Sequence, residues 1–264
     1  MPKETKEVAV VEPTTSELVN FDPSDCGISG LDQSDFIIPR LSITQPTTPE
    51  IEAEDIGKFR INVTGDFLEN MRVVILKIDK TRILFPEKYK RDNDPLCRSH
   101  DFINPADDID GATPMCDSCA LIPGERSKHH CEYANWGSGN AAPRCQETWN
   151  LLVVDVETYM PMWFSVKSTA LKPLRKIVSA VSMISQAKRK PMWAMGFDMN
   201  LEKITNDSGT FYVPTFSGLT LLDESDAGNM AAIRAQLVDV DIKDSVEPEA
   251  PDAPPAAEKT DEEF

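Results

Sequence analysis

Residues 149–168 read WNLLVVDVETYMPMWFSVKS. Two apolar runs, WNLLVVDV and MWFSVKS, flank the polar, proline-containing ETYMP. Val, Trp and Phe suit a pleated, half-buried surface. The break between the runs predicts a β-hairpin with its loop around residues 157–161. Over 162–167 the two-residue period divides the second strand. Met162, Phe164 and Val166 face one side, and Trp163, Ser165 and Lys167 face the other. The first face reads as core. The second pairs an aromatic ring with a cation.

Working outward, residues 169–190 (TALKPLRKIVSAVSMISQAKRK) place Leu174, Ile177, Val178, Val181 and Ile184 at helical spacings of three and four. Thr169 is the expected cap, and Pro173 is tolerable if the helix begins close by. Residues 192–205 and 209–218 read as two strands joined by the turn sequence NDSG, and residues 223–240 as a last helix. Upstream, residues 71–85 (MRVVILKIDKTRILF) are strongly β-prone. Residues 36–44 (FIIPRLSIT) contain Pro39 and predict an edge strand. Five or more strands in mixed antiparallel order predict a mainly β or α+β class. An OB-fold-like five-stranded barrel accommodates them, with a long loop insertion. A sheet with helices on one side is the alternative. There is no internal repeat and no sustained heptad.

The formal net charge is -17. Residues 1–35 carry eight acids against two lysines, and residues 241–264 nine acids against two lysines. These segments hold -6 and -7, which leaves -4 for residues 36–240. Both ends lack apolar periodicity and are expected to be disordered. The folded domain is therefore expected over 36–240. No apolar run follows the first lysines, and none is long enough to span a membrane. The expectation is an intracellular protein with reduced thiols.

Five of the six cysteines fall between Cys97 and Cys145. The order is Cys97, the pair Cys116 and Cys119 in CDSC, Cys131 and Cys145. A C-x-x-C knuckle aims two thiolates at one metal, and two more soft ligands complete a tetrahedral zinc site. The insert at 97–145 has little to bury, so a metal would supply its folding energy. Cys97, Cys116, Cys119 and Cys145 are the expected ligands of a structural Zn2+, because this choice ties both ends of the insert together. Cys131 and His130 are alternates, and His129 or His100 are further candidates. Trp136 is expected to pack over the site. A redox pair lacks the strand-to-helix setting, and catalytic zinc lacks an H-E-x-x-H or H-x-E motif.

Residues 71–91 contain Arg72, Lys77, Lys80, Arg82, Lys88, Lys90 and Arg91 against Asp79 and Glu87. Residues 167–190 contain Lys167, Lys172, Arg175, Lys176, Lys188, Arg189 and Lys190 and no acid. Phe85, Tyr89, Trp163 and Trp193 are interleaved with or adjoin these windows. Bases stack on rings while Lys and Arg follow phosphates, so the pattern predicts a single-stranded nucleic-acid interface. The competing reading is an ordinary solvated helix face and core aromatics.

The chain ends in EKTDEEF. The ring and carboxylate of Phe264 suit an apolar pocket with a basic rim on a partner, and Asp261, Glu262 and Glu263 would steer the tail there. The same acids repel nucleic acid, so the tail is also expected to compete for the protein's own cationic surface.

With the CDSC insert, the acidic tail ending in Phe, and the stretches IPRLSITQPTTPE (38–50) and WNLLVVDVE, the chain resembles bacteriophage single-stranded-DNA-binding proteins. The likeness covers roughly residues 36–220 in layout, plus the tail. It implies a zinc-containing OB-fold and a role in phage DNA replication, recombination and repair inside the bacterial host cell. It also implies a tail that recruits a polymerase, helicase or nuclease. The chain departs from the T4-like pattern in having more candidate cysteines than a site needs. The leading expectation is a non-enzymatic, sequence-nonspecific binder of single-stranded DNA. The alternative is a zinc-containing regulatory or interaction protein acting on a polymerase. A hydrolase has no paired acids, P-loop or triad to support it.

Overall fold

The computed structural model describes residues 37–86, 95–106, 118–125, 127–138, 141–206 and 209–237. The acidic ends at 1–35 and 241–264 lie outside these residues, as do Cys116, Tyr89 and Asp261 to Phe264. Nine strands are present: β1 (Arg40–Ile43), β2 (Phe59–Ile61), β3 (Phe67–Leu68), β4 (Met71–Leu84), β5 (Cys97–Ser99), β6 (Cys145–Asp155), β7 (Pro161–Lys167), β8 (Met195–Asn206) and β9 (Gly209–Leu221). Two helices are α1 (Leu171–Lys188) and α2 (Glu224–Leu237). The protein is mainly β, and the expected five strands are nine. They form one sheet in the order β3-β2-β1-β7-β6-β4-β8-β9, with β5 also on β4. Every ladder is antiparallel except β1 on β7. The sheet curls, so that β9 meets the chain just after β1, where Gln45 and Tyr212 hydrogen-bond.

The hairpin read from residues 149–168 forms as β6 and β7. Asp155 closes β6, and its carboxylate accepts from the backbone N–H groups of Glu157 and Thr158 and from the Thr158 hydroxyl. Met162, Phe164 and Val166 do face the main core, beside Leu151 and Val153 of β6. Leu174, Ile177 and Val181 of α1 cover this inner face. Leu152, Val154 and Trp163 point to the opposite, outer face, where Met230 of α2 covers them. The unbroken apolar run in β6 therefore reflects burial on both sides.

β4 is the spine. One edge pairs with β6 over Val73–Leu84, and the other pairs first with β8 and then with β5. A β-bulge between Ile75 and Lys77 shifts its alternation. Met71, Val73 and Ile75 lie in the main core before it, and Ile78 packs there after it. The extra residue flips the parity of every later side chain.

Two local expectations are corrected. β1 is interior, between β2 and β7. Pro39 precedes it by one residue and offers its carbonyl to the Trp163 N–H at 2.8 Å, so its missing donor is not needed. Thr169 does not cap α1. Residues Ser168–Ala170 form a 3-10 turn, and Ala170 leads into the helix with no side-chain cap. The Asp223 carboxylate starts α2 by accepting from the Asp226 N–H at 2.8 Å. Among the described residues no helix is long and apolar enough to cross a membrane.

Candidate nucleic-acid interface and cysteine cluster

The bulge separates the cations of the first basic window. Arg72 and Lys77 project on the outer side, Lys80 and Arg82 on the inner side. Arg72 is engaged within the protein. Its guanidinium meets Asp198 at 2.6 Å, the Gly196 and Gly218 carbonyls at 3.3 Å each, and the Thr220 hydroxyl. It clamps β4 to β8 and β9 and is a poor phosphate ligand. Lys77 pairs with Asp79 at 3.0 Å.

Lys80 and Arg82 organise the far end of the inner face. Lys80 Nζ lies 4.2 Å over the Trp149 ring, and Arg175 of α1 lies 5.7 Å from the same ring. Glu147 joins them. Its carboxylate accepts from Trp149 Nε1 at 2.6 Å and from Arg175 at 2.8 Å. Burial pushes the Glu147 carboxyl up, but the bonds from Trp149 and Arg175 outweigh it and leave the group below its ordinary range. Trp149, rather than Trp163, is the ring that meets cations in this sheet. The sequence signal was present: Trp149 shares the parity of Leu151 and Val153. Only the β4–β6 register, which opposes Lys80 to Trp149, reveals the partner.

Arg82 is buried, at 3% exposure. It donates to His129 Nε2 at 2.7 Å and to the Cys145 carbonyl at 3.3 Å, and lies 4.2 Å over the Phe102 ring. A phosphate cannot reach it, which corrects its place among the nucleic-acid residues. His129 Nδ1 lies 3.0 Å from the Cys119 carbonyl. With Nε2 accepting from Arg82, Nδ1 carries the proton and donates. Burial, and then the Arg82 charge, lower its pKa and keep the ring neutral. Both nitrogens being used, His129 is a buttress. His130 and Trp136 are exposed, so neither covers the cysteines.

Cys97, Cys119, Cys131 and Cys145 are all buried, and Leu84 and Ala134 pack with three of them. Cys97 arrives on β5, opposite Leu84, and Cys145 opens β6, also opposite Leu84. Burial pushes the Cys145 thiol up to about 12; the Arg82 charge lowers it, while Cys131, Cys119 and Cys97 raise it further. The four thiols are therefore electrostatic neighbours. The sequence placed Cys131 second to Cys116, but it lies within the buried set. Among the described residues no three His, Cys, Asp or Glu side chains form a ligand group by themselves.

The remaining cations occupy two other places. Lys172 and Lys176 are exposed on α1, and Arg175 is half-exposed despite Glu147. Lys167 ends β7 on the outer face, half-buried. Trp163, fully buried beneath α2, is a core residue and offers no base a platform. Trp193 packs against the same cluster. Phe85 is half-buried after β4. Sequence reasoning passed over Arg40, Arg60 and Phe67, which the ladders set on the same outer face as Lys167. No protein-family model, no curated protein and no solved structure matches the chain.

Proposed function

We propose that the chain is a non-enzymatic, sequence-nonspecific single-stranded-DNA-binding protein that acts in phage DNA replication, recombination and repair. The observation that carries this reading is the segregation of positive charge. In a chain of -17, α1 holds four cations and no acid over 18 residues, and a second group of cations faces outward from the sheet. Such surfaces follow a phosphate backbone without reading sequence. The curled sheet supports an OB-fold-like half-barrel as the scaffold, with the insert at 97–145 as its long loop excursion.

A structural Zn2+ in that insert is part of the proposal. The donors fit. Buried thiolates without a counter-cation are costly, and soft sulfur ligands with no open polar position favour zinc over harder metals. Cys97, Cys119 and Cys145 of the expected set are buried together, and Cys131 joins them. Cys116, the other half of the knuckle, lies outside the described residues. When bound, the metal would supply folding energy to the insert. Asp261, Glu262, Glu263 and Phe264 are proposed to recruit a polymerase, helicase or nuclease.

The test is a titration of labelled dT oligomers by anisotropy at two salt concentrations. Binding that weakens with salt supports the reading. No affinity at low salt favours the alternative, a zinc-containing protein that acts on a polymerase.

A further inference from the structure

The ladders align a polar row across the outer face. Phe67 of β3 opposes Arg60 of β2, and Arg60 opposes Ser42 of β1. β1 runs parallel to β7 with Arg40 beside Trp163 and Leu41 beside Phe164. One residue further, Ser42 comes level with Ser165. Ser165 then opposes Asn150 of β6, and Asn150 opposes Asp79 of β4. The row ends in hydrogen bonds, from the Ser165 hydroxyl to Asn150 Oδ1 at 2.7 Å and from Asn150 Nδ2 to the Thr81 hydroxyl at 3.2 Å. The next row on one side carries Arg40 and Lys77, and on the other Lys167.

α2 covers this face only at the apolar end, over Val74, Leu76, Leu152, Val154 and Trp163. The polar rows adjoin that end. They bring four cations, Arg40, Arg60, Lys77 and Lys167, against Asp79. They also bring a ring, Phe67, which lies 5.9 Å from the Arg60 guanidinium. The other cationic surface differs in kind. The sequence of α1, LKPLRKIVSAVSMISQAK, contains no aromatic residue. It can hold phosphates but cannot stack bases.

We infer that the bases of a bound single strand lie along the outer face of the sheet, across β3, β2, β1 and β7. Phe67 and the Arg60 guanidinium stack them, and Arg40, Lys77 and Lys167 hold the phosphates. This rests on the single-stranded-DNA reading and adds the location and the stacking residues. Ser42, Ser165 and Asn150 present small hydroxyl and carboxamide groups between the cations, which suit base edges of any sequence. Lys77 exchanges Asp79 for a phosphate on binding. Asp66, next to Phe67, keeps the strand from continuing past β3 by repulsion.

The test uses full-length protein and a fluorescein-labelled dT oligomer of about 20 nucleotides, longer than the roughly 4–16 nucleotides one such fold covers. Phe67→Ala is expected to weaken binding roughly 5- to 100-fold, the worth of one base–aromatic stack. Arg60→Gln with Lys167→Gln is expected to reduce the slope of log affinity against log salt by about 1.4, at roughly 0.7 per lost phosphate contact. The pair Lys172→Gln with Lys176→Gln is expected to weaken binding less than Phe67→Ala. Photocrosslinking of wild-type protein to 4-thio-dT gives a readout that does not depend on the variants folding. Crosslinks to residues 59–68 support the inference. Crosslinks confined to 171–190, or wild-type affinity in the Phe67 and Arg60/Lys167 variants, overturn it while leaving the DNA-binding reading intact. If wild-type protein does not bind dT at all, that reading falls and the inference falls with it.

Discussion

The side chain of Gln45 bonds the backbone of Tyr212 in both directions. Gln45 Nε2 donates to the Tyr212 carbonyl at 2.9 Å, and the Tyr212 N–H donates to Gln45 Oε1 at 2.8 Å. A carboxamide thus mimics one rung of a β-ladder. It joins the chain after β1 to β9, although β7, β6, β4 and β8 separate those strands in the sheet. Gly57 fits beneath the same tyrosine. A Cβ there would come within 2.3 Å of the ring, and its φ of 81° is left-handed. Replacing Gln45 by Ala removes both bonds and is expected to cost about 1–3 kcal/mol. Gln45→Glu keeps the shape and the acceptor but loses the donor, so it should lie between. Urea unfolding checks the order. Equal stability of all three proteins would show that the curl does not depend on this contact.

Arg82 should behave as a structural cation. Arg82→Ala leaves His129 Nε2 and the Cys145 carbonyl without their donor, in a place water does not reach. A loss of about 2–4 kcal/mol is expected, from charged hydrogen bonds and the Phe102 contact together. Hydrogen exchange should rise first at residues 97–104 and 129–135, and later at α1. A loss of DNA affinity with unchanged stability would instead make Arg82 a ligand-facing residue.

The turn at 101–104 carries a pH signature. Burial pushes the Asp101 carboxyl up, but the N–H groups of Asn104 and Ile103, the Asn104 side chain and the Ser99 hydroxyl outweigh it and lower it to about 2. The folded value lies below the ordinary one near 3.9. Its contribution is therefore complete above about pH 4 and is lost as pH falls toward 2. An NMR titration of the carboxyl carbon should give a midpoint well below the ordinary range, and Asp101→Asn should flatten the acid limb of stability. An ordinary midpoint would contradict the bonded turn.

Metal removal separates the insert from the rest. Purified protein is expected to carry about one zinc per chain, and a strong chelator should release it. Near-ultraviolet signals and protection in 97–145 should then fall, while β8 and β9 keep theirs. Cys119→Ser should lose the metal and Cys26→Ser should keep it. Metal-free protein with full protection in the insert would refute the zinc proposal.

Much of the sheet was legible because burial on two faces leaves a mark in composition. WNLLVVDV could not be a half-exposed strand, and the alternation of Met162, Phe164 and Val166 named the core face correctly. What failed depended on distant neighbours. Trp163 was placed on the right face, but nothing near it in sequence announces that α2 covers that face. Pro39 suggested an edge because a strand position was assumed for it, whereas the strand starts at Arg40. The cations of residues 71–91 looked like one surface until the bulge at Ile75/Lys77 sent them to opposite sides. Arg40, Arg60 and Phe67 stand outside any basic window, and three ladders are needed to align them with Lys167. Cys131 ranked behind Cys116 because the knuckle spacing is a local signal, whereas burial beside Cys97 and Cys145 is not.

The central claim is that cations gathered on a curled sheet and its helix hold an unpaired DNA strand. The most direct measurement is the equilibrium affinity of full-length protein for dT oligomers, compared with a duplex of equal length, at about 50 and 200 mM salt. The account predicts preference for the single strand and a marked loss of affinity at the higher salt. Absence of binding to the single strand at the lower salt would contradict it.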